Sequence, residues 1–252
     1  MIAIDGVSVT FGGGLVRKSS PVTALDNVSL SLARGECHGL VGESGSGKTT
    51  LGRVILGLQK ADRGKVAVAG EDVSGLGRRA SRRFRRRVQV VFQDSAASFN
   101  PRMSIGASVA EGLHIHRIGK PPMRREAVSR MLEKVGLTPD YASRYPHELS
   151  GGQRQRVNIA RALVLEPEIL VADEPVSALD VSVQAQILDL IAELRSAMSL
   201  TMIFISHDLH VVREVCETVS IMHGGKIVEH GDTARIFDAP TAPYSQELLR
   251  AV

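Results

Sequence analysis

The chain has only two cysteines in 252 residues, Cys37 and Cys216, far apart in sequence and in no C-x-x-C pair. The spacing offers no zinc site, and the expectation is two reduced cytosolic thiols. No uninterrupted apolar run is long enough to cross a bilayer. Met1-Ile2-Ala3-Ile4-Asp5 has no basic stretch leading into an apolar one, so no secretory signal is expected there. There is no repeat of solenoid period, no low-complexity linker and no coiled-coil insert. Nor does one sign of charge dominate: 31 Lys and Arg against 27 Asp and Glu leave a formal +4, too little by itself to imply nucleic acid. What remains is the ordinary composition of a globular protein, long enough for one sizeable core.

One stretch organises the chain. Gly42-Glu43-Ser44-Gly45-Ser46-Gly47-Lys48-Thr49 has the pattern G-x-x-x-x-G-K-T and is followed by Thr50. Apolar Leu40-Val41 precedes it as a strand would. Thr50, Leu51, Val54, Ile55 and Leu58 follow at helical spacing. Glycines let such a loop turn tightly and aim its N–H groups at an anion, and the helix adds its positive end. Lys48 can reach β- and γ-phosphates, and the Thr49 hydroxyl can hold Mg²⁺. The chain is therefore expected to bind a nucleoside triphosphate.

Upstream, Ile4, Val7, Val9 and Phe11 mark a strand over Ile2–Phe11, broken at Gly12-Gly13-Gly14. Phe11 is either a core residue or a platform for an adenine ring. A second strand is read over Val28–Leu32. Arg78–Arg87 carries seven arginines and reads as a solvated helix face or as a surface for an acidic partner or anionic lipid. The strand Val88–Phe92 leads to Gln93, whose carbonyl oxygen can ligate Mg²⁺ or hold the attacking water. Helical patterns then dominate, over Val109–Ile115 and Arg124–Val135, with breaks at Pro121-Pro122 and Thr138-Pro139.

Leu149-Ser150-Gly151-Gly152-Gln153 opens a long helical pattern and offers a second anion site: a hydroxyl, backbone N–H groups and a positive dipole end. Ile169–Ala172 is a buried strand ending in Asp173 and Glu174. Asp173 can hold Mg²⁺, and Glu174 can polarise the water that attacks a γ-phosphate. Ser177-Ala178-Leu179-Asp180 leads into a helix over Ser182–Met198. Thr201–Ile205 is a strand running into Ser206-His207, and His207 can donate to a γ-phosphate oxygen. His114, His116 and His223 have no comparable setting. Val219–Met222 and Lys226–Glu229 read as a hairpin, and a short helix is expected after Pro240-Thr241-Ala242-Pro243-Tyr244.

In this order, Gly42–Thr49, Gln93, Leu149–Gln153, Ile169–Glu174, Ser177–Asp180 and His207 resemble the motifs of an ATP-binding-cassette ATPase over nearly the whole chain. The segment ending Phe99-Asn100-Pro101-Arg102, with Phe where Leu is usual, is similar to the peptide and nickel importer subfamily. Tyr145–Leu149, Ala172–Gln186 and Ala242-Pro243-Tyr244, with Ala for His, are similar to it as well.

The resemblance implies an α/β fold of P-loop, RecA-like type: a mainly parallel sheet, an N-terminal antiparallel portion and an inserted helical subdomain. It implies one nucleotide-binding domain, with its core in residues 1–93 and 168–252 and its helical part in 94–167. It also implies ATP and Mg²⁺ as ligands, with two cassettes forming a head-to-tail sandwich. Gly42 to Thr50 bind one ATP with Phe11 stacking on its adenine. Ser150, Gly151, Gly152 and Gln153 cap the partner's ATP. Ser177 to Asp180 lie at the dimer seam, Thr49, Gln93 and Asp173 serve the metal, and Glu174 is the general base with His207 on the γ-phosphate. The implied partners are a second ATPase subunit, identical or not, two transmembrane permease subunits and an extracytoplasmic solute-binding protein, at the cytoplasmic face of the cell membrane; no nucleic acid is expected. Nickel or a metal chelate is the alternative solute to peptides. A soluble assembly for iron–sulfur or phosphonate chemistry is the alternative of another class.

Overall fold

A computed structural model describes residues 1–12, 21–93 and 98–250. Gly13 and Gly14 of the expected break, and Asp94 to Ala97, lie outside the described residues. In chain order the elements are β1 (Ile2–Phe11), β2 (Val22–Leu32), β3 (Cys37–Val41), α1 (Lys48–Ile55), β4 (Arg63–Val68), β5 (Glu71–Asp72), α2 (Arg78–Arg87), β6 (Val88–Val91), α3 (Ile105–Ile115), α4 (Pro121–Lys134), α5 (Gly151–Leu163), β7 (Ile169–Asp173), α6 (Val181–Met198), β8 (Thr201–Ile205), α7 (Leu209–Val215), β9 (Thr218–His223), β10 (Lys226–Asp232), α8 (Thr233–Asp238) and α9 (Pro243–Arg250). Contacts divide the chain into two compact units, Met1–Arg78 with Thr201–Val252, and Arg79–Leu200.

The first unit holds an antiparallel sheet of order β2-β1-β4-β5. The apolar residues of β1 do not alternate strictly, and the structure gives the reason. The register of β1 shifts between Ile4 and Val7, where Gly6 has φ 58°. This bulge returns Val7 to the buried face that Ile2 and Ile4 occupy. The antiparallel pairing extends β2 back to Val22, six residues before its apolar alternation starts. In the same unit β3 runs parallel to both β8 and β9, and β9 turns into β10 as an antiparallel hairpin. Every residue of β3 and β8 is buried, as expected of parallel strands covered on both faces.

One expectation is corrected here. Leu58 does not continue the buried face of α1; the helix ends at Ile55 and Leu58 is exposed. Cys37 and Cys216 are both buried, the Cys37 thiol donating to the Cys216 sulfur at 3.5 Å with no disulfide between them.

The second unit pairs β6 with β7 in parallel and packs α3, α4 and α5 together. The proline breaks are helix starts: Pro121 opens α4 and Pro139 opens a 3₁₀ turn, where a missing N–H costs nothing. The arginine-rich stretch is the helix α2, and Phe84 is its one buried residue.

Candidate functional site

The phosphate loop joins β3 to α1. Gly42 has φ 144° and Gly47 φ 107°, in the backbone region that disfavours side chains. Space forbids them too. A Cβ on Gly42 would lie 2.2 Å from the Met222 carbonyl oxygen, and one on Gly47 2.5 Å from that of Ala24. The loop is thus pressed against β9 and β2, and Gly225 N–H donates to the Ser46 carbonyl at 3.0 Å. Gly47 starts α1 without a side-chain cap, and the first turn of α1 carries no acid. The positive end of this helix is one that suits an anion.

Lys48 is only 6% exposed. Its ammonium donates to the carbonyls of Gly42 at 2.6 Å and Glu43 at 2.8 Å, and reaches Ser46 Oγ at 3.4 Å. The loop therefore holds its own cation in place. Ser44, Gly45 and Thr49 are exposed, and Thr50 is half-buried.

His207 follows β8, the parallel neighbour of β3, and is exposed. The end of β8 is tied to the root of the loop, where Ser206 N–H donates to the Leu40 carbonyl at 3.3 Å. His207 and the loop thus leave adjacent strands at the same edge, the carboxyl edge where α/β sheets bind ligands. Phe11 is 42% exposed at the end of β1, so its ring is on the surface and outside the core.

Buried His38, which the sequence patterns did not single out, sits on β3 between Thr218 Oγ1 at 2.7 Å and Ser220 Oγ at 2.9 Å. Burial and the neighbouring His230 push its pKa down to about 3, so the ring stays neutral.

The second unit gathers the other predicted residues. Asp173 ends β7 and Glu174 follows it, both half-buried. Glu174 has φ 48°, a left-handed conformation that a side chain adopts at a cost, and such strain clusters at functional sites. Gln93 brings its amide to this carboxylate, Nε2 donating to Glu174 Oε2 at 2.9 Å. The turn that follows is closed by Ser177, whose N–H and hydroxyl both donate to the Glu174 carbonyl, at 3.4 and 3.2 Å.

Asp180 then caps α6, accepting from Val183 N–H at 3.0 Å and Ser182 Oγ at 2.7 Å; these hydrogen bonds, the Ser182 hydroxyl first, lower its pKa. Ala178 is exposed and Leu179 lies against Gly151, where a Cβ would meet Leu179 Cδ2 at 3.5 Å. Val183 comes closer to Gly152, within 2.6 Å of where a Cβ would be. Leu149–Gln153 and Ser177–Asp180, predicted separately, are thus packed together.

The start of α5 is a reciprocal cap. Ser150 Oγ accepts from Gln153 N–H at 3.3 Å, and Gln153 Oε1 accepts from Ser150 N–H at 3.0 Å. Because Ser150 uses a lone pair here, its O–H remains a donor for an anion. Tyr141 steadies Gln153 through its hydroxyl, 2.9 Å from Nε2.

Several supporting residues were not among the predicted site residues. Asn158 Nδ2 donates to the Phe92 carbonyl at 3.2 Å, immediately before Gln93. Arg161 donates to the Ser98 carbonyl and lies over the Phe99 ring, 5.1 Å from its centroid. Burial lowers the Arg161 pKa, with Glu111 acting against it. Phe99, the residue departing from the subfamily pattern, is thus a buried platform for a cation. Gln184 ties the loop before α6 through the Val176 and Leu179 carbonyls, at 3.0 and 3.2 Å. For Asn158 and Arg161 the only advance signal was their place one or two helical turns after Gln153, whereas Phe99 and Gln184 fall within segments already matched to the subfamily.

The chain is similar to known proteins along most of its length. Residues 25–177 match the ABC transporter family model. The oligopeptide transport ATP-binding protein OppF of Streptococcus mutans is 47% identical over all of this chain and 81% of its own length. A putative peptide import ATP-binding protein of Brucella ovis is 51% identical over 93% of this chain and 74% of its own. Among solved structures, the dimeric post-hydrolysis state of an ATP-binding cassette bound to ADP and Pi superposes with a TM-score of 0.82 at 29% identity. It covers 92% of this chain and 99% of that one. With a lysine-bearing phosphate loop, a strained glutamate after a buried strand and a second, capped helix start in one chain, the conclusion is that the chain belongs to the ABC transporter family and is an ATPase.

Proposed function

We propose that the chain is the ATP-hydrolysing subunit of an importer of di- and oligopeptides, working at the cytoplasmic face of the cell membrane. The observation that carries this is the 47% identity, over the whole chain, to a protein named for oligopeptide transport. The Asn100-Pro101-Arg102 and Pro243-Tyr244 segments support the same subfamily. Among the described residues no helix is long and apolar enough to cross a membrane, so the pathway belongs to separate permease subunits in this reading.

The residues divide the work as follows. The N–H groups from Gly45 to Thr50 receive the phosphates. Lys48 exchanges its loop carbonyls for β- and γ-phosphate oxygens, and Phe11 stacks on the adenine. Thr49, Gln93 and Asp173 offer hydroxyl, amide and carboxylate oxygens, the hard donors that suit Mg²⁺. Among the described residues no three acidic, His or Cys side chains gather to hold a metal alone, which fits an ion bound partly through phosphate oxygens. Bound there, Mg²⁺ would neutralise charge between the β- and γ-phosphates.

Glu174 takes a proton from the water attacking the γ-phosphorus, with Gln93 fixing its orientation, and His207 donates to a γ-phosphate oxygen. Ser150, Gly151, Gly152 and Gln153 of one cassette cap the ATP of a second, identical or different, across a seam that includes Ser177 to Asp180. ATP binding closes the pair, hydrolysis reopens it, and the Gln93 segment carries the change to two permeases fed by a solute-binding protein.

Co-purification from membranes with native mass spectrometry tests the transport reading. Two permeases and a bound peptide are expected; recovery of soluble partners alone would overturn it. Glu174→Gln tests the chemistry. ATP binding persists and a dimer accumulates, while turnover falls by about a thousandfold, in the range general-base removal produces. Wild-type turnover would remove Glu174 from the role.

A further inference from the structure

Gln93 brings its amide to Glu174 from a stretch of chain that burial does not hold: Phe92 is 39% exposed and Gln93 is exposed too. A tie to this stretch comes from α5. Asn158 is fully buried there, and its Nδ2 donates to the Phe92 carbonyl at 3.2 Å. That carbonyl shares one rigid peptide plane with the Gln93 N–H, so holding it sets the direction in which Gln93 leaves β6. Arg161, three residues further along α5, places Asn158 in turn, its Nη2 donating to Asn158 Oδ1 at 3.5 Å. A guanidinium only donates, so the Asn158 oxygen must face Arg161 and its NH₂ must face the Phe92 carbonyl. Arg161 is itself seated by the Phe99 ring, 5.1 Å from its centroid, and by the Ser98 carbonyl, which accepts from its Nη1. Contacts thus run unbroken from Phe99 through Arg161, Asn158 and the Phe92–Gln93 peptide to the Glu174 carboxylate, which accepts from Gln93 Nε2 at 2.9 Å.

We propose that Asn158 and Arg161 are positioning residues for ATP hydrolysis, which set the Phe92–Gln93 peptide so that the Gln93 amide meets the Glu174 carboxylate. This rests on the reading of Gln93 and Glu174 as parts of the hydrolytic site. The physical argument concerns freedom of movement. A glutamine side chain has three rotatable bonds, and its amide reaches a given carboxylate in few of its conformations. A loose peptide before it would multiply the wrong ones. A general base must lie within hydrogen-bond reach of the water it activates, and a shift of about 1 Å caused from a distance can cost about a hundredfold in rate. In the proposed mechanism neither Asn158 nor Arg161 holds phosphate, metal or water, so their part is to place Gln93. Their helix starts at the Ser150 cap. In the proposed pairing, the groups that receive a second cassette's ATP and the groups that place Gln93 therefore lie on one element.

Asn158→Leu removes the amide at nearly the same volume. In the full chain kcat is expected to fall about tenfold, as for a displaced catalytic group, with the ATP Kd within about twofold of wild type. Wild-type kcat would overturn the proposal, whatever the melting temperature does. A double-mutant cycle separates positioning from packing. Gln93→Ala is expected to lower kcat by about tenfold, and Asn158→Leu to add less than about twofold to that loss, since a residue that acts through Gln93 then has nothing left to place. A residue that only supports the fold would multiply its own loss onto that of Gln93→Ala, and that result would overturn the proposal. Arg161→Lys gives a second variant, should Asn158→Leu fail to fold. It keeps a cation beside Phe99 without the planar fork that also reaches Asn158. The same loss of kcat and the same lack of additivity with Gln93→Ala are expected, and wild-type kcat would overturn the proposal. The two kinds of failure are distinguishable. If Gln93→Ala lowers kcat and Asn158→Leu does not, the site stands and the positioning role falls. Wild-type kcat in Gln93→Ala would remove Gln93 from the site and the proposal with it.

Discussion

Glu174 pays for its place in backbone strain. Its φ of 48° costs about 1–2 kcal/mol for a residue bearing a Cβ. Glu174→Gly should relieve that strain and raise the urea midpoint by the equivalent of roughly 1 kcal/mol while turnover is lost, which denaturant melts and an ATPase assay would check. The opposite holds at Gly42, where a Cβ would meet the Met222 carbonyl oxygen at 2.2 Å. Gly42→Ala is expected to lose nucleotide binding in a titration, because main chain must move to admit it. The loop was legible in the sequence because its chemistry needs glycine, lysine and threonine at set spacings. The strain at Glu174 was not, since a dihedral angle leaves no mark on the pattern of apolar and polar residues.

Elements were legible where burial imposes a period. The buried strands β3, β7 and β8 and the β9–β10 hairpin follow their apolar residues closely. The first half of β2 has no such period, because it is held by pairing with β1, and partners are not written in a strand's own pattern. The supports of the Gln93 segment were hidden for a related reason: Asn158 and Arg161 face it from a helix more than 60 residues away in sequence. Arg161→Ala should remove one hydrogen bond to the Ser98 carbonyl and the cation over the Phe99 ring, costing about 2 kcal/mol in a urea melt. Lysine at this position should restore little of that, since it lacks the flat guanidinium that lies over the ring.

For the whole molecule, His38 makes a prediction about acid. Its pKa is about 3 in the fold against 6.5 for the free side chain, so the unfolded chain takes up the proton first. The stability His38 contributes is fully present above pH 6.5. It is lost as pH falls from there towards 3, at up to about 1.4 kcal/mol per unit. Glu229, lowered to about 2 although burial acts to raise it, loses its share in the same direction once pH drops below 4.5. Urea melts across pH 4–7 should show the slope, and His38→Gln should flatten it over the upper part of that range.

The two thiols have a practical meaning of another kind. Cys37 is fully buried, Cys216 is 6% exposed, and each shields the other. Since they are the only cysteines in the sequence, a third placed at Val181, 82% exposed beside the Ser177–Asp180 turn, would react with a maleimide well before either native thiol. In the proposed pairing, a spin label or fluorophore there would report the approach of a second cassette in real time, on a chain that keeps its own cysteines.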